Sequence, residues 1–175
     1  MQILLKSAIV LGFIFSFGHS HVYSQNNSAV LSAKINGHDF TVNGGEDFNQ
    51  IYGVLAKTPM FFQLSISGST IDNGIAKSIV ISIMSEKSFK TVVQNTEWDS
   101  KNESLGDLPV GFYYEIENDI EKEASSESTE DAYLKITSID KTKHLISGEF
   151  RFTASNGVNN YNITHGVFTD VSYKK

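Results

Sequence analysis

No residue of this 175-residue chain is cysteine, so it carries no disulfide, no thiolate nucleophile and no thioether-linked lipid. Stability has to come from the core alone, and a domain of about 150 residues can supply that. The chain also lacks an apolar run long enough to span a bilayer. Its longest, Ala8–Phe17, is about half of the ~20 residues a spanning helix needs, and Gly18, His19, Ser20 and His21 interrupt it. Basic charge is scarce as well, with 14 Lys and Arg against 20 Asp and Glu giving a net charge of −6. That balance favours solubility and argues against nucleic acid or an anionic membrane as partner.

The short apolar run has a different meaning. Lys6 precedes it, and the small residues Val22 and Ser24 follow at the −3 and −1 positions of a peptidase site before Gln25. Gly18 and Ser20 offer a second site before His21. Residues 1–24 are therefore expected to be a cleavable signal peptide and residues 25–175 a single exported domain, periplasmic or extracellular. Losing residues 1–24 removes Lys6 alone among charged residues and takes the net charge from −6 to −7.

Within residues 25–175 the recurring signal is apolar alternation at period two, broken by Gly, Asn, Asp and Ser. Leu31, Ala33 and Ile35 alternate with polar neighbours. Asn36-Gly37 then supplies the two residues of a type I′ turn before Phe40 and Val42 return. Phe62, Leu64 and Ile66 precede a turn at Asp72-Asn73-Gly74, after which Ile79, Ile81 and Ile83 alternate again. Phe112, Tyr114 and Ile116 form another strand, followed by an acidic segment, Glu117–Asp131, whose Ser/Glu-rich piece Glu121–Glu130 could form a short exposed helix but, with no apolar face, reads as a solvated loop. In the C-terminal third, Ile146, Gly148, Phe150, Phe152 and Ala154 share one face opposite Ser147, Glu149, Arg151 and Thr153. Between Tyr161 and Tyr173 the apolar phase shifts near Gly166, as a β-bulge would shift it. The expected fold is all-β: an antiparallel β-sandwich or an open, flattened barrel of about eight to ten strands.

Three blocks carry a resemblance: Ala33–Phe40 (AKINGHDF), Ile136–Ala154 (ITSIDKTKHLISGEFRFTA) and Tyr161–Tyr173 (YNITHGVFTDVSY). Together they resemble a family of small exported domains of unknown function from Bacteroidota. Many of those relatives look like lipoproteins, and this chain departs from them in lacking a cysteine after the apolar run. The shared motifs are turn and strand signatures, so the resemblance implies an exported β domain and assigns no functional residue.

Motifs for chemistry are sparse. His38, His144 and His165 stand beside turns with no HExxH or close pair, so no metal site is expected. No G-x-S-x-G occurs, and Ser67-Gly68-Ser69 reads as a loop, so no catalytic residue and no cofactor is assigned. The acids Glu115, Glu117, Asp119, Glu121 and Glu123 alternate. An extended segment would set five carboxylates on one face, where calcium could bridge them, although the spacing is not that of an EF-hand. Trp98 and Tyr113 could make a sugar-stacking platform if exposed, and core packing is the competing reading. Asn26, Asn102 and Asn162 each open an N-x-S/T triplet, which means little for a bacterial chain. The reading that follows is a non-enzymatic binding or interaction module of the cell envelope. Its alternatives are a β-barrel-like carrier with a cavity lined by Phe112, Phe150 and Phe152, and a hydrolase assembled from distant loops.

Overall fold

The computed structural model describes residues 28–46, 49–101 and 107–174; the expected signal segment 1–24 and the triplets at Asn26 and Asn102 lie outside the described residues. Eleven strands follow in chain order: β1 (Val30–Ile35), β2 (His38–Asn43), β3 (Gln50–Lys57), β4 (Phe62–Asp72), β5 (Ile75–Ser85), β6 (Glu97–Asp99), β7 (Asp107–Glu117), β8 (Ile120–Ser125), β9 (Ala132–Asp140), β10 (Leu145–Ser155) and β11 (Asn160–Lys174). One short 3₁₀ turn, Phe89–Thr91, interrupts the connection between β5 and β6.

The all-β expectation holds, with eleven strands in place of eight to ten. All belong to one sheet in the order β2-β1-β11-β3-β4-β5-β7-β8-β10-β9-β6. A further ladder between β10 and β11 closes a circuit through β3, β4, β5, β7 and β8, so the sheet is partly ring-like. Two of the seams in that circuit are thin. β11 meets β3 in parallel over Tyr173↔Gly53 and Lys174↔Val54, and β10 meets β8 at Ser155↔Ser125 alone.

Turn chemistry explains much of the order. Asn36-Gly37, Asn73-Gly74 and Asn118-Asp119 all have positive φ at both positions, and each forms the two-residue link of a hairpin. The first two turns were expected. The third corrects the acidic-loop reading: Asn118-Asp119 folds that segment back on itself, and Ile120–Ser125 becomes β8, paired with β7 from Phe112↔Ser125 to Glu117↔Ile120.

Alternation then builds the core. Leu64, Ile66, Ile79, Ile81 and Ile83 are fully buried on the inner face of β4 and β5, and Leu31, Phe150, Phe152, Phe168 and Val171 meet them from β1, β10 and β11. Glycine lets the two layers approach. A Cβ on Gly68 would press against Leu31, and one on Gly111 would lie inside the Phe152 ring. The expected bulge is present: Phe150 pairs with Gly166 and Phe152 with Ile163, leaving His165 at φ 53°. A second bulge, not foreseen, leaves Asp170 at φ 51° between the pairs Ile146↔Val171 and Gly148↔Phe168. Each extra residue resets the phase, so Ile163, Phe168, Val171 and Tyr173 all face inward.

Candidate functional site

The residues singled out from sequence do not converge. His38 lies on β2, His144 in the β9–β10 turn and His165 at the first bulge of β11. Among the described residues no three or more His, Asp or Glu side chains gather in a metal-holding group. Ser67-Gly68-Ser69 is not a loop: it lies within β4, where Ser69 donates a hydrogen bond to Ser78 at 2.8 Å. Trp98 and Tyr113 are buried at 3% and 1% exposure, which removes the sugar platform.

The acidic run is broken up by its own turn. Lys122 binds Glu115 at 2.5 Å with Glu117 at 3.7 Å, while Glu121 and Glu123 pair with Ile116 and Tyr114 and point to the other face. Five carboxylates therefore never share a face. Tyr113 donates to Glu115 at 2.6 Å. Burial and the Glu115 carboxylate push its phenol far above the ordinary range. Burial also raises Glu115, but Lys122 and Tyr113 outweigh it and hold the carboxyl below its usual value. A carboxylate clamped as an anion and a phenol clamped as a donor leave neither free to move a proton.

The carrier chamber also dissolves on inspection of the faces. Phe150 and Phe152 belong to the main core, stacked with centroids 6.2 Å apart, and Phe152 abuts Gly111. Phe112 lies one residue from Gly111, so it faces the opposite side and packs in a separate cluster with Val80, Val110 and Tyr114. The three rings cannot line one cavity.

A recess that sequence reasoning missed lies at one end of the sheet. It is a cleft of about 200 Å³ between the end of β3 with its following loop, Lys57–Phe62, and the segment Glu86–Phe89 after β5. Thr58 shapes the first wall: its Oγ1 accepts from Met60 N–H at 3.2 Å and Phe61 N–H at 3.0 Å, and Thr58 N–H donates to Phe61 C=O at 2.9 Å. That local closure holds Pro59 and Met60 outward, and Met60 is 79% exposed. Ser88 caps the 3₁₀ turn from the second wall, its side chain accepting from Lys90 N–H at 3.3 Å.

Phe62 and Phe89 line the floor, and Tyr173 packs behind Phe89. Phe62 and Phe89 meet edge to face at 5.4 Å, Phe89 meets Tyr173 likewise at 5.7 Å, and Tyr173 stands 5.4 Å from His144. Two ammonium groups lie over Phe89: Lys57 Nζ at 4.9 Å and Lys141 Nζ at 5.7 Å from its centroid. Lys141 also donates to Lys90 C=O at 2.8 Å, which ties the β9–β10 turn to the 3₁₀ segment. Beneath the rim, Lys87 pairs with buried Asp107 at 2.5 Å, and Ser85 donates to the same carboxylate. Burial raises the Asp107 pKa, yet Lys87 and Ser85 prevail and hold it below the ordinary carboxylate range. Tyr173 is 2% exposed, and its hydroxyl finds no partner among the described residues.

The arrangement offers apolar contact and positive charge on the solvent side, and its only buried acid is already committed to a salt bridge. A sequence signal existed in the Lys-x-x-Lys spacing around Ser88-Phe89, but Phe89 is a lone apolar residue among polar ones and shows no periodicity to notice. Compared with known proteins, residues 63–172 match the sequence profile of one family, described as a domain of unknown function (DUF6252). No curated protein and no solved structure matches the chain. The matched span begins at the second residue of β4, so it includes the Glu86–Phe89 wall of the cleft and omits the Lys57–Met60 wall.

Proposed function

The chain belongs to the DUF6252 family of domains of unknown function, and on that premise we propose that it is an exported, non-enzymatic interaction module of the cell envelope, periplasmic or extracellular. The observation that carries the interaction reading is the cleft end. An exposed methionine stands there on a turn closed by Thr58, with Lys57 and Lys141 over Phe89 and Lys141 bonded to Lys90 C=O, on a chain whose net charge is −6. Surface-exposed apolar groups set in charge of one sign are the chemistry of contact, not of bond cleavage. Support for export comes from the sequence: a lysine, a short apolar run and small residues before Gln25. The resemblance to exported Bacteroidota domains points the same way, and this chain is proposed to be a relative without lipid.

Expression of the full chain in an exporting Gram-negative host tests the proposal. Protein recovered outside the cytoplasm is expected to begin at Gln25. Retention of residues 1–24, or recovery from the cytoplasm alone, overturns export, and turnover of ester, glycoside or peptide substrates abolished by a single point variant overturns the non-enzymatic reading.

A further inference from the structure

A net charge of −6 averages over a surface on which charge is unevenly placed. Lys57, Lys87 and Lys141 reach the cleft end from three separate stretches of chain, and Lys90 and Lys143 stand on the two of those stretches that Lys141 ties together. Among the described residues, the acids on or paired with these stretches are Glu86, Asp107 and Asp140. Asp107 is buried and neutralised by Lys87, and Asp140 accepts from the N–H groups of Thr142 and Lys143 at 2.9 and 2.8 Å. The solvent-facing balance at this end is therefore positive. Met60 shares the cleft with Lys57 and Lys87 at 79% exposure, beside Pro59, on a turn that Thr58 holds closed.

We propose that this end docks on an anionic lipid surface, with Met60 entering the boundary between headgroups and acyl chains and the lysines meeting the headgroups. Three features favour that occupant. Lysine ammoniums are point charges suited to a diffuse negative surface, whereas a discrete phosphate or carboxylate is commonly held by a bidentate arginine. The cleft, at about 200 Å³, is too small to enclose a sizeable soluble ligand. An exposed methionine beside lysines has no use for a purely ionic partner, and an apolar group flanked by basic ones is what interfacial segments bring to a bilayer. The sequence-level argument against anionic membranes used total charge, and docking depends on the charge within a Debye length of the contact.

The inference deepens the envelope reading and rests on it for the meeting of protein and lipid; the vesicle assay that follows needs no export, so the two fail separately. Purified protein is sedimented with phosphatidylcholine vesicles and with vesicles of phosphatidylcholine plus phosphatidylglycerol. Binding is expected to the second alone and to weaken as salt rises. Lys90→Glu with Lys143→Glu should cut it at least about twenty-five-fold, since each surface lysine contributes about fivefold. Met60→Ser should cut it about tenfold. Lys34→Glu with Lys77→Glu makes the same change in net charge at positions paired with Thr164 and Thr70, roughly 25–30 Å along their strands from the lysine end, and should leave binding unchanged. Thermal melts report whether each variant folds; if the lysine pair does not, the exposed Met60→Ser decides. No binding to the anionic vesicles overturns the proposal, as does equal loss in the Lys34/Lys77 variant. Binding that ignores Met60→Ser and is fully competed by soluble polyphosphate overturns it in favour of a soluble polyanion.

Discussion

Replacing Gly111 with alanine puts the closest contact between the two layers under test. Gly111 lies on β7, paired with Ile81 of β5, and the Cβ that alanine adds would fall within the ring of Phe152 on β10. The ring has nowhere to go. It is 2% exposed, stacked on Phe150 at 6.2 Å and held by strand pairs to Ala132 on one side and Ile163 on the other. Overpacking a filled core costs about 1–3 kcal/mol, and a backbone-borne carbon meeting a trapped ring belongs at the upper end. Alanine returns about 0.5–1 kcal/mol through the smaller entropy of its unfolded chain, because Gly111 does not use the left-handed region. The net loss is about 2 kcal/mol, a fall in melting temperature of roughly 4–8 °C for a domain of this size. Phe152→Leu makes room for the new methyl, so in a double-mutant cycle the two substitutions together should cost less than their sum by about 0.5–3 kcal/mol. Denaturant melts of the four proteins measure this. A wild-type melt for Gly111→Ala, or strict additivity with Phe152→Leu, would refute the close approach of β7 and β10.

Three further outcomes are expected. Tyr173→Phe removes a buried hydroxyl with no partner among the described residues and should leave stability unchanged or raise it by up to about 1 kcal/mol, whereas a clear loss in denaturant melts would show that the hydroxyl is bonded. Gly37 has φ 85°, so Gly37→Val should cost roughly 1 kcal/mol or more, read as a lower melting temperature, although nothing crowds the site. Asp131 is held below its ordinary value chiefly by Lys101, and Asp107 and Glu115 are lowered as well because Lys87 and Lys122 outweigh the effect of burial. Depressed folded values mean that the unfolded chain takes up protons first. The stabilisation is therefore complete above about pH 5 and is lost as pH falls through about 4 and below, and Asp107→Asn should flatten that acid limb of a stability–pH curve.

Much of the fold could be read from residues that answer to their neighbours in sequence. Asn36-Gly37 and Asn73-Gly74 declare their turns because both positions need positive φ, and Phe150 and Phe152 declare their face because Glu149 and Arg151 occupy the other. The reading failed where the deciding force was tertiary. Composition made Glu121–Glu130 a loop, yet pairing with β7 and the Glu115–Lys122 bridge hold its first half as β8. Asn118-Asp119 was the available clue, a turn pair without the glycine that usually announces one. Ser67-Gly68-Ser69 looked like a loop because glycine and serine are loop residues, and it is strand because β3 and β5 pair with it on both sides, Gly68 leaving the space that Leu31 fills. The cleft was invisible since it rests on Phe62 and Phe89, with Tyr173 packed behind Phe89, residues far apart in sequence whose meeting only the topology decides.

The position of β11 sets the order in which this molecule can be finished. It follows every one of its partners in the sequence, yet it lies between β1 and β3 along one edge and against β10 along the other. The strands made first stay without their central neighbour until the last stretch of chain arrives, and loop closure over that distance makes such pairing slow. A chain stopped short of Asn160 loses three interfaces at once, so early release should leave a sticky, unfinished sheet and not a smaller version of the same domain. On the export route proposed above, the same delay would keep the chain threadable until translocation is almost done.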